Sequence, residues 1–225
     1  FLIVSAPMKL NISFLLICIG SGCPAKQTAE SGAPRLRAGA VHSAGREASH
    51  LLRPEEKHLR NLRQITFEGE NAEAYWAFAG RTLSMQSTRL GLSCDQIFVQ
   101  DFTLPSAPAR MLSSGKGRTT CAHFLPDNER VLYASTHAAS SDCPPLPDHS
   151  QGYVWPLYDS YDIYVVMRDG SDPMPLIAGP GYDAEATVCK DGSIVFTSTR
   201  GGDIELFRAD ANGTNVKQLT KTEGY

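Results

Sequence analysis

Glu73 and Glu185 each stand between two alanines at the same point of a repeated pattern, "NAEAYW" and "DAEATV". Carboxylates repeated in this way suit a cation, an amine or a basic peptide terminus. They equally suit a stitch to neighbouring backbone or to an arginine of the next repeat, and repetition at a strand start favours the stitch. Two acids alone do not make acid–base catalysis without a known separation and a perturbed pKa. Near them in the pattern fall Thr119, Thr120 and Cys121 of "RTTCAHF" and Asp183 of "YDAEA". A third source of chemistry is "QGYVWPLYDSYDIY", where Tyr153, Trp155, Tyr158 and Tyr161 crowd together. Exposed aromatics on a rigid scaffold suit recognition of a peptide or a glycan, or they fold back as a plug over the scaffold.

Six cysteines are present. Cys18 and Cys23 lie in an N-terminal segment treated below, which leaves Cys94, Cys121, Cys143 and Cys189 for the folded part. Cys121 with Cys143 is the preferred disulfide, because it would pin a long Pro-rich insertion to its own repeat; Cys94 with Cys121 is the competitor. His123, His137 and His149 lie in the same repeat, but without CxxC or HxxxH spacing they give no metal site. No Gly-x-Ser-x-Gly elbow, HExxH or Gly-rich phosphate loop occurs in the 225 residues, and the sequence implies neither a cofactor nor catalysis.

The elements that must position these residues are short strands. The stretches beginning at Asn71, Arg118 and Asp183 each read strand, turn, apolar and β-branched strand, then Ser-Thr. Their turns, Ala79-Gly80, Asp127-Asn128 and Asp191-Gly192, are spaced 48 and 64 residues apart, and Gly-Tyr recurs 43 residues apart at Gly181-Tyr182 and Gly224-Tyr225. A unit of about 40 to 50 residues with four strands is the size of a propeller blade. Third strands are expected in "DQIFVQDF", "YDIYVVMRDG" and "GDIELFRADANG", and fourth strands in "ARMLSSGKG", "PMPLIAG" and "VKQLTKTEG". The enlarged middle blade takes up the stretch from His137 to Tyr161. The expected fold is therefore all-β, about three four-stranded antiparallel blades of a β-propeller over residues 57–225. A ring of typically four to eight blades would be left incomplete. "HLRNLRQITF" from His58 reads as a fourth strand that completes the last blade of such a ring. The complete ring is expected to be monomeric.

The unit "CKDGSIVFTSTRGGDIELFRADANGTNVKQLT" resembles the WD-like repeat of TolB-like periplasmic proteins, whose first turn usually reads Ser-Pro-Asp-Gly. The resemblance extends over roughly Leu59 to Tyr225. It implies a non-enzymatic propeller scaffold with a protein or peptide partner in the cell envelope. Similar propellers precede the catalytic domain of prolyl-oligopeptidase-like serine peptidases, which is the alternative reading. A carbohydrate-binding propeller rests on the aromatic insertion alone. In a propeller the innermost strand begins at the rim where second strands pass to third strands. Glu73, Thr119, Asp183, Glu185, Tyr153 and Trp155 are thus expected around one channel mouth.

Before the blades, "MKLNISFLLICIGSGC" from Met8 reads as a secretory signal occupying residues 1–22, with 1–7 upstream of its start. Its apolar run is too short for a permanent span, which needs about 20 apolar residues. Cys23 sits where a lipobox cysteine would be acylated, and lipidation and plain cleavage remain alternatives. Residues 23–56, rich in Ala, Gly, Ser, Arg and Pro, read as a flexible tether. The chain is thus expected in the periplasm, touching a membrane only through such a lipid. A formal charge of -3 with scattered Lys and Arg excludes a nucleic-acid field.

Overall fold

The computed structural model describes residues 45–104 and 107–223, together with the paired dipeptide strands β1 (Leu2–Ile3) and β2 (Leu15–Leu16). Apart from those dipeptides, the signal segment, Cys23 and the tether up to residue 44 lie outside the described residues. From residue 45 the chain is built. β3 (Arg46–Glu47) pairs antiparallel with β4 (Arg63–Gln64), with a single 3-10 turn at Ser49–Leu51 between them. Ala48 is fully buried and donates its N–H to the Leu62 carbonyl at 2.9 Å. The last dozen residues assigned by composition to a tether are therefore ordered chain. β4 falls within the stretch expected to act as a fourth strand, and its partner is β3.

Three four-stranded antiparallel meanders follow. The first is β5 (Asn71–Trp76), β6 (Thr82–Ser87), β7 (Gln96–Asp101) and β8 (Arg110–Met111). The second is β9 (Thr119–Phe124), β10 (Arg130–Ser135), β11 (Asp162–Met167) and β12 (Met174–Ile177). The third is β13 (Asp183–Val188), β14 (Ile194–Ser198), β15 (Glu205–Ala209) and β16 (Lys217–Gln218). The innermost strands lie side by side in the order β5, β9, β13. The arc they form does not close into a ring.

The three aligned turns behave alike. Gly80, Asn128 and Gly192 each take a positive φ, of 67°, 61° and 85°, and each donates its N–H three residues back, to Ala77, Leu125 and Cys189. Only residues that tolerate the left-handed region serve there, hence Gly and Asn.

Period-2 alternation with both faces buried explains why the strands read as nearly continuous apolar runs. Val131 and Tyr133 of β10 pack with Ile97 and Val99 of the first blade, while Leu132 and Ala134 pack with Ala184, Ile194 and Phe196 of the third. The middle blade is thus a two-sided wedge.

The recurring Ser-Thr pair has a mechanical role. Thr88, Thr136 and Thr199 each accept through Oγ1 the N–H of the residue just before the next-inner strand, Glu70, Arg118 and Tyr182, all at 2.9 Å. Each Thr N–H returns a bond to the same residue's carbonyl at 3.0 Å. The preceding serine holds an arginine: Arg89 bridges Ser87 to Asn71, and Arg200 bridges Ser198 to Asp183 at 2.8–2.9 Å. Asp183 is 1% exposed, so this ion pair is the charge balance for a buried carboxylate. Replacing Asp183 with Ala removes two charge-assisted bonds and should lower the unfolding free energy by about 1.5–3 kcal/mol. Urea unfolding measures this; an unchanged midpoint would contradict the role given to the pair.

Candidate functional site: a cleft built by three bulges

Each innermost strand breaks register with its neighbour at the same place. Pairing runs Ala72 with Gln86 and then Tyr75 with Ser84; Thr120 with Ala134 and then His123 with Leu132; Ala184 with Thr197 and then Thr187 with Val195. Two residues therefore oppose one in every blade, which is a β-bulge. The first of each pair is Glu73, Cys121 or Glu185, at φ of 47°, 50° and 52°. The second is Ala74, Ala122 or Ala186, at most 1% exposed. The bulge aims the first side chain at the propeller axis and sinks an alanine where the blades pack closely.

The three axial side chains share one cleft of about 320 Å³ with Tyr75, His123 and Trp155. Tyr75 donates its hydroxyl to Glu73 Oε2, and Cys121 Sγ lies 3.8 Å from the same oxygen. Glu185 Oε2 accepts from Thr197 Oγ1 at 3.1 Å. Neither carboxylate forms an ion pair with an Arg, Lys or His among the described residues. Hydroxyls and a thiol hold them, and their charge is left uncompensated. Tyr75 stacks on His123 at 3.8 Å between centroids. Trp155 also lines the cleft, so the insertion's indole forms one of its walls.

Burial pushes the Cys121 thiol well above its ordinary value, and the nearby Glu73 charge adds to the shift. The thiol is protonated and is a poor nucleophile. Burial also holds the His123 imidazole down, at about 4. These groups do not form a nucleophile–base pair; they form a neutral, polarisable lining between two anionic groups.

Of the residues expected at the mouth, Glu73, Glu185 and Trp155 converge on this cleft. Asp183 turns into its own blade against Arg200. Thr119 is 1% exposed and bonds the Asp95 carbonyl through its hydroxyl at 3.0 Å. Tyr153 stands on the insertion, 79% exposed. His137 bonds Ser135 Oγ at 2.8 Å and stacks on Tyr164, while His149 lies against Tyr153.

The disulfide differs from expectation. Cys94 is bonded to Cys143, with Cα atoms 6.0 Å apart, and Cys121 is free, so neither Cys121–Cys143 nor Cys94–Cys121 forms. The bulge is the reason, because it turns Cys121 Sγ to the axis, away from the root of the insertion. Cys94, in the β6–β7 connection, meets Cys143 instead and ties the insertion to the neighbouring blade. On the chain-entropy argument, closing this loop of 49 residues contributes about 4 kcal/mol. Sequence reasoning placed Cys121 at the rim but missed it as the third axial residue. The signal was the alignment of Thr-Cys-Ala with the two Ala-Glu-Ala triplets.

Four-stranded meanders set side by side through their first strands define a β-propeller. Among solved structures, the chain is similar to TolB from Acinetobacter baumannii, with a TM-score of 0.51 and 18% identity over 69% of this chain and 34% of that one. It is also similar to putative TolB from Agrobacterium tumefaciens (TM-score 0.49, 20% identity, 67% and 50% covered) and to puromycin hydrolase (TM-score 0.47, 21% identity, 69% and 24% covered). At these identities the likeness is one of fold. The chain spans half or less of the length of each of these structures. No protein-family model and no curated protein matches it.

The depressed His123 pKa has a consequence for stability. The unfolded chain takes up a proton near the ordinary imidazole value of 6.5, while the folded one resists until about 4. Stability should therefore fall as pH drops through that window and level off below it. His123→Gln should flatten this limb of the unfolding free energy against pH; an unaltered slope would contradict the burial of a neutral imidazole.

Proposed function

We propose that the chain supplies blades of an exported β-propeller that acts as a non-enzymatic binding scaffold at the bacterial cell envelope, gripping a protein or peptide partner at the channel mouth. The observation that carries this reading is the convergence of three bulged side chains on one cleft in which two carboxylates lack a cationic partner. Such a cleft is complementary to a lysine, an arginine or a free N-terminus, with the Trp155 and Tyr75 rings available to the cation and its alkyl stem. The likeness in fold to TolB and the signal-like segment from Met8 support placement in the periplasm. Acylation at Cys23 would hold the scaffold to the outer membrane. The protonated Cys121 and neutral His123 fit a binding role better than a catalytic one.

The test is a fluorescence-anisotropy titration of the chain with short peptides differing only in a free or acetylated N-terminus and in Lys, Arg or neutral side chains. Basic, free-amine peptides should bind best, and Glu73→Gln with Glu185→Gln should weaken them by about tenfold, equal to about 1.4 kcal/mol. Equal affinity for neutral and basic peptides, untouched by the double substitution, would overturn the reading.

A further inference from the structure

A second cavity, of about 280 Å³, lies beneath the insertion, on the other side of Trp155 from the axial cleft. Its rim is aromatic and open: Tyr153 is 79% exposed and Trp155 46%. Its floor is polar and comes from the blades, namely Gln86 of β6, Tyr161 just before β11, and the Asp95–Arg118 pair at the entrances to β7 and β9. The Cys94–Cys143 bond roots the insertion beside Asp95, and Tyr158 donates its hydroxyl to the Pro145 carbonyl, fixing the two arms of the insertion to one another.

Two floor groups have hydrogen-bonding capacity that the protein does not use. Gln86 is 8% exposed; its Oε1 accepts from Thr120 Oγ1 at 2.9 Å and from the Cys121 N–H at 3.4 Å, and its amide nitrogen donates to nothing among the described residues. Tyr161 is 5% exposed, its ring set edge-on against Tyr182 at 5.7 Å, and its hydroxyl has no partner among the described residues. Burial raises the phenol well above its ordinary value, so it presents an O–H throughout the physiological range. Both atoms open onto the cavity, and Arg118 Nε in the same floor is buried with no hydrogen-bond partner among the described residues; a buried donor left unmet costs about 1–3 kcal/mol, and a native structure keeps one where something completes it.

We propose that this groove is a saccharide-binding site, in which a neutral sugar ring stacks on Trp155 and Tyr153 and presents its hydroxyls to Gln86, Tyr161 and the Asp95–Arg118 pair. On the floor Asp95 and Arg118 balance one another at 2.9 Å, and the remaining charge in the lining is the exposed carboxylate of Glu70, which leaves the floor itself suited to a neutral ligand and disfavours an anionic one. The chemistry supports a polyol, because the floor combines an amide donor, a phenolic hydroxyl and a paired carboxylate and guanidinium under an apolar wall. A pyranose has the matching faces, one of C–H groups and an edge of hydroxyls. The volume of about 280 Å³, just below the roughly 300–1,000 Å³ common for small-molecule sites, suits a ligand as small as a single sugar ring. This site is separate from the axial cleft and does not depend on the peptide reading.

The experiment is a printed glycan array probed with the full chain, followed by calorimetric titration of the best neutral oligosaccharide. Binding should weaken about tenfold in Gln86→Leu and in Tyr153→Ala, and remain unchanged in Glu73→Gln. Tyr153 is on the open rim, so its substitution leaves the fold intact and reads the site alone, and circular dichroism verifies Gln86→Leu. Absence of any glycan above background, binding indifferent to Tyr153→Ala, or binding lost only with Glu73→Gln would each overturn the proposal. Peptide binding can fail with saccharide binding intact, and the reverse, so the two readings are separable.

Discussion

The bulge in each innermost strand is the constraint on which the site depends. A regular strand would alternate its side chains between the two blade faces and leave none for the axis. One extra residue at positive φ releases a single side chain from that alternation. Non-glycine residues held there cost on the order of 1–3 kcal/mol each, yet this chain places Glu73, Cys121 and Glu185 at all three positions. Ala74, Ala122 and Ala186, almost completely buried, let neighbouring blades close over the bulges. Strain is thereby stored next to the tightest packing, and the framework of threonine and arginine locks at the rim keeps the strands from sliding it away.

That framework also separates residues that look alike in sequence. Asp183 and Glu185 are two positions apart, and one closes an ion pair inside its blade while the other faces the axis. The difference lies in what the blade can compensate. Arg200 reaches Asp183 from the Ser-Thr-Arg corner of the same blade, and among the described residues no arginine pairs with the carboxylate at the bulge. The enlarged middle blade then adds a wall that the repeat does not supply. Trp155 lines both an acidic cleft and a polar-floored groove.

The blades were legible in the sequence because their turns impose a backbone chemistry that few residues meet. Gly80, Asn128 and Gly192 fall where the repeat requires them, and the Ser-Thr pairs mark the opposite corner. The disulfide was not legible, because a repeat map places a cysteine at a rim without giving the direction in which its side chain leaves the strand. A one-residue bulge reverses that direction at Cys121, and Cys143 finds Cys94 instead. The roles of Asp183 and Thr119 were obscured for the same reason. Gln86 carried no sequence signal and Tyr161 only that of its aromatic cluster, since an unspent hydrogen bond exists only once the surrounding groups are placed.

The central claim is that three bulges create one anionic cleft around Cys121, and the Cys121 thiol itself reports on it. Its modification rate by a trimethylammonium-bearing methanethiosulfonate can be compared with that by the sulfonate-bearing analogue. The ratio of the two rates, normalised to the unfolded chain, should favour the cation by about tenfold and collapse towards one in Glu73→Gln with Glu185→Gln. A normalised ratio near one in the unaltered chain, or one favouring the anion, would contradict the convergence of Glu73 and Glu185 on that thiol.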